Sequence, residues 1–428
     1  GTTMVMICHD RNIAGEMADI VLPLDGATPR VEMGRLSAPV RPPDGLRIAN
    51  GDLVLPHGIL SRTDLDIRDG RIAAIGPSAE RAANPANAID ASNRFVMPGF
   101  IDLHSDAIEK AIEPRPRAEL PLEVALTELD KSLAACGITT MHHCVCFTGK
   151  ESEALRYYEQ AGGMVRRIKA LNGDLLVNTR IHARYEILDT ECIPLLLELM
   201  DDGLVDMLSL MDHTPGQGQF TNVDYLYEYY TKASHLSREE VDVMIQRRLE
   251  RSRTFDDGHL RELVQHCHQK NIPLASHDDD TPEKVAWAND LGVRISEFPV
   301  SLAAAEAAHQ AGMGVLMGAP NIIFGRSLTD NLSGRLAIEQ GFCNLIGSDY
   351  SPHTLLHAIF TLHKEGLGAL PELVRMVSQR PASATNQADQ YGTLAEGLSA
   401  DLTIVDPRGP VPRITQTFRN GQQIYAAE

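Results

Sequence analysis

The chain has 428 residues, of which 43% are hydrophobic, and its formal net charge is −19. This length predicts two or three domains, and the apolar content is typical of a globular protein with a substantial core rather than of a disordered chain. The acidic balance argues against a nucleic acid or an anionic membrane as partner, whereas a small anionic substrate stays compatible with it.

The cysteines and the apolar runs indicate the cellular compartment in which the protein is expected. Seven scattered cysteines form no CxxC pair, and no apolar run reaches the length of a membrane span or of a secretion signal. We therefore expect a cytoplasmic protein with reduced thiols and no membrane association.

Residues 1–44 differ from the rest of the chain. Their run Met-Val-Met-Ile-Cys-His-Asp (4–10) resembles the closing strand and switch histidine of a transporter-type ATPase. No GxxxxGK[ST] phosphate loop occurs anywhere in the sequence. We predict a remnant of an upstream or fused gene without ATPase chemistry.

Strand patterns flank the middle of the chain. Residues 45–97 contain short alternating runs with the dipeptides Asn50-Gly51 and Asp69-Gly70, both typical of hairpin turns. Residues 386–428 return to the same texture. Together the two segments predict one small β-sandwich built from both chain ends.

Between them, residues 98–385 alternate short apolar strands with amphipathic helices. Two helices are well marked: one runs from Leu122 and ends at Gly137, and another opens with a capping box from Ser237 to Glu240. Strands are predicted near residues 98–104, 138–146, 175–184, 205–213, 273–277, 293–298, 313–317 and 344–349. This pattern predicts an α/β fold, a (β/α)8 TIM barrel whose catalytic residues lie at the carboxyl ends of the strands.

The first predicted barrel strand ends in a histidine and a carboxylate. His104 and Asp106 are two residues apart, so on a strand their side chains point to the same side. An imidazole nitrogen and a carboxylate oxygen held together suit a borderline divalent metal. The alternative for such a pair is a structural role, in which the histidine is hydrogen-bonded to the neighbouring aspartate. The position of the pair at the start of a strand–helix series favours a metal site.

Several other predicted strands end in the same residue types. The third carries ligand-type side chains on alternate positions from His182 to Glu186, and the fourth, fifth and eighth also end in histidine or aspartate. The predicted metal ligands are His104, Asp106, Glu186, His213, His277 and Asp349. One or two divalent ions are expected, zinc with manganese or iron as alternatives. Because no lysine lies at the end of the third or fourth strand, Glu186 is the candidate bridge between two ions.

The second strand also carries metal-type residues, His-His-Cys-Val-Cys (142–146). No second Cys/His cluster accompanies them, and alternation sends Cys144 and Cys146 to one face. We expect core packing there rather than a thiolate site.

The sequence resembles the amidohydrolase superfamily over roughly residues 45–428. The markers are Asp-Gly-Arg-Ile (69–72), Pro-Gly-Phe-Ile-Asp-Leu-His (98–104) and Gly-Leu-Ser-Ala-Asp-Leu (397–402). Within it, the chain is similar to the diphosphatases of the carbon–phosphorus lyase pathway in four stretches. These are His-Ser-Asp-Ala-Ile-Glu-Lys (104–110) with Pro-Arg-Pro (114–116), Ser-Leu-Met-Asp-His-Thr-Pro-Gly-Gln (209–217), Ser-His-Asp-Asp (276–279) and Met-Gly-Ala-Pro-Asn (317–321).

This resemblance implies cleavage of α-D-ribose 1-methylphosphonate 5-triphosphate to the 5-phosphate and pyrophosphate. A divalent metal would make the attacking water available near neutral pH, and Asp349 would orient that water and accept its proton. The residues expected to bind the phosphorylated sugar are Lys110, Arg115, Arg117, Arg184, Asn321 and Arg326.

Two other functions remain open from the residues alone. The same barrel and ligands would serve an amidohydrolase acting on a cyclic amide or N-acyl C–N bond, because fold does not determine function. A non-catalytic scaffold is the third possibility, and the near-complete ligand set argues against it. A homo-oligomer is compatible with the sequence.

Overall fold

The computed structural model of the protein describes residues 45–77, 87–116, 118–149, 154–218, 227, 231, 237–327 and 331–427. The ATPase remnant predicted for residues 1–44 lies outside the described residues, and so does the predicted substrate-binding residue Arg117.

Both ends of the described chain contribute to one mixed sheet of eight strands. From the N-terminal side come β1 (Leu46–Leu55), β2 (Gly58–Arg68), β3 (Arg71–Pro77), β4 (Ala88–Asp90) and β5 (Phe95–Pro98), and from the C-terminal side β14 (Leu402–Asp406), β15 (Arg413–Arg419) and β16 (Gln422–Ala426). Strand β14 pairs antiparallel with β5, which joins the two halves. The sheet also curls back on itself, because the Ile72 amide of β3 donates to the Leu398 carbonyl just before β14 (2.9 Å). The predicted small domain from both chain ends is confirmed.

The two turn dipeptides of this domain behave differently. Gly70 has φ +76° and lies in the tight turn between β2 and β3, as predicted. The hairpin expected at Asn50-Gly51 is wrong, because both residues lie inside β1. There the register with β2 shifts between Ile48 and Gly51, and Asn50 has φ +61°. The left-handed residue is used for a bulge rather than for a turn.

The second sheet is parallel and confirms the barrel. Its strands are β6 (Phe100–Ser105), β7 (Ile138–Phe147), β8 (Asn178–Glu186), β9 (Met207–Met211), β10 (Leu274–His277), β11 (Ile295–Glu297), β12 (Gly314–Gly318) and β13 (Leu345–Gly347), each hydrogen-bonded to the next. The last and first strands meet at an isolated bridge between Asp349 and Ser105. There the Asp349 amide donates to the His104 carbonyl (2.9 Å) and the Asp106 amide donates to the Asp349 carbonyl (2.7 Å).

Helices follow most of the barrel strands. They are α1 (Ala107–Ile112), α2 (Leu122–Ala135), α3 (Tyr158–Leu171), α4 (Ile193–Asp201), α5 (Arg238–Arg253), α6 (Gly258–Lys270), α7 (Pro282–Asp290), α8 (Leu302–Gln310), α9 (Ala319–Phe324), α10 (Gly334–Glu339), α11 (Thr354–Lys364), α12 (Leu370–Arg375) and α13 (Gln379–Ala384). The capping box before α5 is confirmed, since the Ser237 side chain accepts from the Glu240 amide and Glu240 accepts from the Ser237 amide. Among the described helices, none is both long and apolar enough to cross a membrane.

The interior of the barrel is layered. Its lower part is apolar and contains Ile101, Leu103, Met207, Ala275, Ile295, Leu316 and Leu345, which contact one another from six different strands. Successive inward positions on a strand are two residues apart. The residue above Ala275 is therefore His277 and the residue above Ile295 is Glu297, so the chemistry-bearing side chains stand on an apolar floor at the carboxyl ends of the strands.

Candidate active site

A group of buried imidazoles and one carboxylate lies at the top of the barrel interior. His104 Nδ1 is 3.1 Å from one Glu297 oxygen, and His182 Nε2 is 3.7 Å from the other. The His104 ring also lies against the His277 ring, with centroids 5.2 Å apart. Glu297 is 0% exposed, and neither of its oxygens accepts a hydrogen bond. A carboxylate buried without donors leaves lone pairs to be satisfied by something else.

Burial sets the protonation of these histidines. It lowers the pKa of His104 to about 3, and the positive charge of Arg184 acts in the same direction. Burial likewise lowers the pKa of His182 to about 3. Both rings are therefore neutral near pH 7, which is the form that binds metal.

A second group lies where β8, β9 and β10 end. His213 Nδ1 is 2.7 Å from one oxygen of Glu186, and the His213 amide donates to the other oxygen at 3.2 Å. Burial alone would raise the pKa of Glu186, but the charge and the hydrogen bond of His213 outweigh it and leave that pKa below its ordinary value. His277 Nδ1 lies 2.9 Å from the carboxylate of Asp278, the next residue along the chain.

Arg184 stands between these groups. Its Nη1 donates to both oxygens of Asp106, at 2.9 and 3.1 Å, and its Nη2 lies 3.0 Å from His277 Nε2. As the alternation along the third barrel strand predicts, Arg184 and Glu186 point to the same side of the strand. Arg184 contacts Asp106 and Glu186 contacts His213, both at the ends of other strands.

Asp349 is placed by the closure of the barrel. Its backbone hydrogen bonds to His104 and Asp106 hold it beside the first strand. Burial, followed by the negative charge of Asp106, raises the pKa of Asp349 to about 7. A carboxylate with a pKa near the working pH is suited to accept and return a proton.

Left-handed backbone recurs at these strand ends. Asp278, Phe298 and Asp349 have φ of +55°, +52° and +58°, and each comes directly or closely after a barrel strand. Aspartate tolerates this region, whereas for phenylalanine it is strained. The Phe298 ring packs edge-on against His104, with centroids 4.7 Å apart.

The donor set fits a divalent metal. Three groups of side chains each bring three ligand atoms within 4.8 Å of one another: His104, Cys144 and His182; His104, His277 and Glu297; and His213, His277 and Asp278. Nitrogen and carboxylate oxygen ligands of this kind suit zinc and its neighbours. Several of these atoms have no hydrogen-bond partner, among them His104 Nδ1 and both oxygens of Glu297.

Cys144 is the exception within these groups. Its sulfur lies 3.5 Å from His182 Nδ1, inside the barrel. Burial raises the pKa of the Cys144 thiol well above its ordinary value, which disfavours the thiolate that a metal needs. Cys146 is buried as well, and burial raises its pKa to about 12. All the cysteines in the described part of the chain are free.

The predicted substrate-binding residues are dispersed. Lys110, Arg115 and Arg326 are exposed side chains, whereas Arg184 is buried in its contact with Asp106. Asn321 ties a loop together, because its amide nitrogen donates to the Leu332 carbonyl and its oxygen accepts from the Gly334 amide.

Sequence reasoning did not assign four residues that the structure brings to the site. Of the four, Glu297 was the easiest to predict from the sequence, because it ends a predicted barrel strand as His277 does. Asp278 follows His277, and His182 lies on the inward face of β8. Arg248 lies on α5, donates to the His213 carbonyl at 3.2 Å, and carried no signal distinguishing it from a surface charge.

Comparison with known proteins agrees with this architecture. The model of the amidohydrolase family matches residues 95–425. The chain belongs to the amidohydrolase family. It is therefore a hydrolase, and its described histidine and carboxylate groups can hold the divalent metal typical of that family.

Individual amidohydrolases differ in how similar they are to this chain. The α-D-ribose 1-methylphosphonate 5-triphosphate diphosphatase of Escherichia coli K12 is 32% identical over 382 residues, which cover 88% of this chain and 100% of the relative. A dihydroorotase of Mycobacterium bovis is 23% identical and covers 83% of this chain and 87% of its own. The structure of molinate hydrolase superposes with a TM-score of 0.63 at 14% identity, over 89% of this chain and 94% of the other, which shows the shared fold.

Proposed function

We propose that this amidohydrolase hydrolyses α-D-ribose 1-methylphosphonate 5-triphosphate to the 5-phosphate and pyrophosphate. The observation that carries the proposal is the 32% identity to the Escherichia coli diphosphatase along the whole of that relative. The stretches on which the resemblance depends also contain His104, His213 and His277, three side chains of the metal-binding groups.

The metal is proposed to be zinc, with manganese or iron as alternatives. Candidate ligands are the histidines of the site together with the carboxylates around them: His104, His213, His277, Glu186, Asp278 and Glu297, with Asp106 and Asp349 from the sequence prediction. A bound zinc ion would lower the pKa of the attacking water and polarise the phosphoryl oxygen.

Asp349 is proposed to orient the attacking water and to accept its proton. Its backbone lies beside the first barrel strand, and its raised pKa matches a group that exchanges protons near neutral pH. The accepted proton would then be available to the departing pyrophosphate.

Cations at the barrel mouth are proposed to hold the leaving pyrophosphate, where negative charge accumulates. Lys110, Arg115 and Arg326 are exposed and lie in the segments that follow β6 and β12, which supports a role in binding an extended triphosphate. Arg117 is retained in this set from the sequence. Arg184 contributes its positive charge from inside the site, and Asn321 connects α9 to the start of α10 through its bonds to Leu332 and Gly334.

A direct assay tests the reaction. The purified protein is incubated with the ribosyl triphosphate, and pyrophosphate and phosphate are quantified separately. The proposal expects one pyrophosphate per substrate and no stepwise release of phosphate. Arg326→Ala should depress turnover of the triphosphate while leaving hydrolysis of a neutral amide unaffected.

Hydrolysis of a C–N bond is the competing function. The 23% identity to a dihydroorotase over most of the chain favours including it. A panel of cyclic amides and N-acyl compounds is assayed beside the triphosphate. Rapid hydrolysis of these amides together with inertness toward the triphosphate would replace the diphosphatase proposal by this one, and protein without bound metal would favour a non-catalytic scaffold.

A further inference from the structure

A buried arginine lies among the side chains that the sequence assigns to the metal. Arg184 is 7% exposed, and its guanidinium holds both oxygens of Asp106. The same guanidinium reaches His277 Nε2 at 3.0 Å. Two of the six predicted ligands, Asp106 and His277, are therefore in contact with a permanent positive charge.

The contact also engages both nitrogens of His277. A guanidinium only donates, so His277 Nε2 must accept from it and the ring proton resides on Nδ1. That proton faces Asp278, whose carboxylate lies 2.9 Å from Nδ1. While Arg184 stays in place, neither nitrogen of His277 has a free lone pair for a metal ion.

Two cations close together in the barrel interior repel each other strongly. A second ion bound by Asp106 would have to expel the Arg184 guanidinium from its carboxylate partner. The displaced charge would remain buried without a partner, which is strongly unfavourable. Arg184 cannot lose its charge instead, because a guanidinium stays protonated in proteins.

We propose that Arg184 takes the place of a second metal ion, so that the centre binds one divalent ion per chain and Asp106 is the counter-ion of Arg184 rather than a ligand. The inference rests on the metal centre of the proposed function and is independent of the proposed substrate. The six predicted ligands could hold either one or two ions, and the proposal selects one.

Metal content tests it without any activity measurement. The protein is dialysed against micromolar zinc, freed of excess ion, and analysed for zinc per chain by mass spectrometry. The wild type is expected to hold one ion. Arg184→Gln, which frees Asp106, is expected to approach two, whereas Arg184→Lys keeps the charge and stays at one. Arg167→Gln is the matched control, because Arg167 pairs with Glu123 at the protein surface; it also stays at one.

Two results overturn the proposal: two ions in the wild type, or one ion in an Arg184→Gln variant that elutes and melts as a folded protein. If that variant does not fold, Asp106→Asn decides. Retention of one ion supports the counter-ion role, and loss of zinc overturns it. A wild type without zinc, manganese or iron would overturn the metal centre itself, whereas the substrate assay can fail with the ion count unchanged.

Discussion

Replacing Glu297 with glutamine should raise the stability of the protein without metal and reduce the stability that bound zinc adds. The carboxylate is fully buried, 3.1 Å from His104 Nδ1, and neither of its oxygens accepts a hydrogen bond. Without metal, an ionised group in this position destabilises the fold. With metal, the same carboxylate is a ligand, and the amide oxygen that replaces it carries no charge.

The magnitudes follow from these contacts. In EDTA, Glu297→Gln should be more stable than the wild type by about 1–3 kcal/mol, the desolvation penalty of one unsatisfied buried group. Zinc at about 100 times its dissociation constant should stabilise the wild type by about 2.7 kcal/mol. If the variant binds zinc about 10–100-fold more weakly, the same zinc concentration contributes only about 0.4–1.4 kcal/mol.

The difference in EDTA should also depend on pH. Burial raises the pKa of Glu297 above its ordinary value of 4.5. A raised pKa in the folded state means that the wild type loses stability as the pH rises from 4.5 through the raised value. The advantage of the variant should therefore grow as the pH rises from 4.5 through the raised pKa of Glu297.

Urea unfolding, followed by fluorescence and circular dichroism in EDTA and in zinc, measures these effects. Glu186→Gln is the matched control, because the Glu186 carboxylate is already satisfied by the ring and the amide of His213. That variant should lose stability in EDTA. The reasoning about Glu297 would be refuted if Glu297→Gln were less stable than the wild type in EDTA, or if zinc stabilised both proteins equally.

Three further substitutions separate chemistry, positioning and folding. Asp349→Asn should lower turnover by about 10²–10⁴-fold, as measured by pyrophosphate release; an unchanged rate would remove Asp349 from the mechanism. Phe298→Leu should weaken zinc binding by about 10–100-fold in equilibrium dialysis, since its ring packs against His104 and His277, and equal affinity would show that this packing is dispensable. Ser237→Ala removes the capping box of α5 and should cost about 1 kcal/mol in urea unfolding without altering zinc content, whereas a loss of zinc would mean that this helix supports the site.

The barrel was predictable because its signals are local. Each strand is a short apolar run bounded by turn residues, and these runs alternate with helices over the whole of residues 98–385. His104 and His277 could be predicted as site residues for the same reason. A polar side chain at the end of a buried strand lies at the mouth of the barrel. The wrong hairpin at Asn50-Gly51 shows the limit of a local signal, since a turn and a bulge both require a left-handed residue.

The sequence by itself therefore determined the elements, their order and the end of the barrel at which the chemistry lies, because hydrophobic period and strand-end polarity are written in neighbouring residues. Only the tertiary structure decided which of these side chains meet. Arg184 pairs with Asp106 78 residues away, and Glu297 approaches His104 across the barrel. Such contacts depend on which strands face each other in the closed barrel, and on burial that makes an unpaired charge costly. The same sequence position could carry a substrate clamp or a permanent counter-ion, and the surroundings that distinguish them exist only in the folded chain.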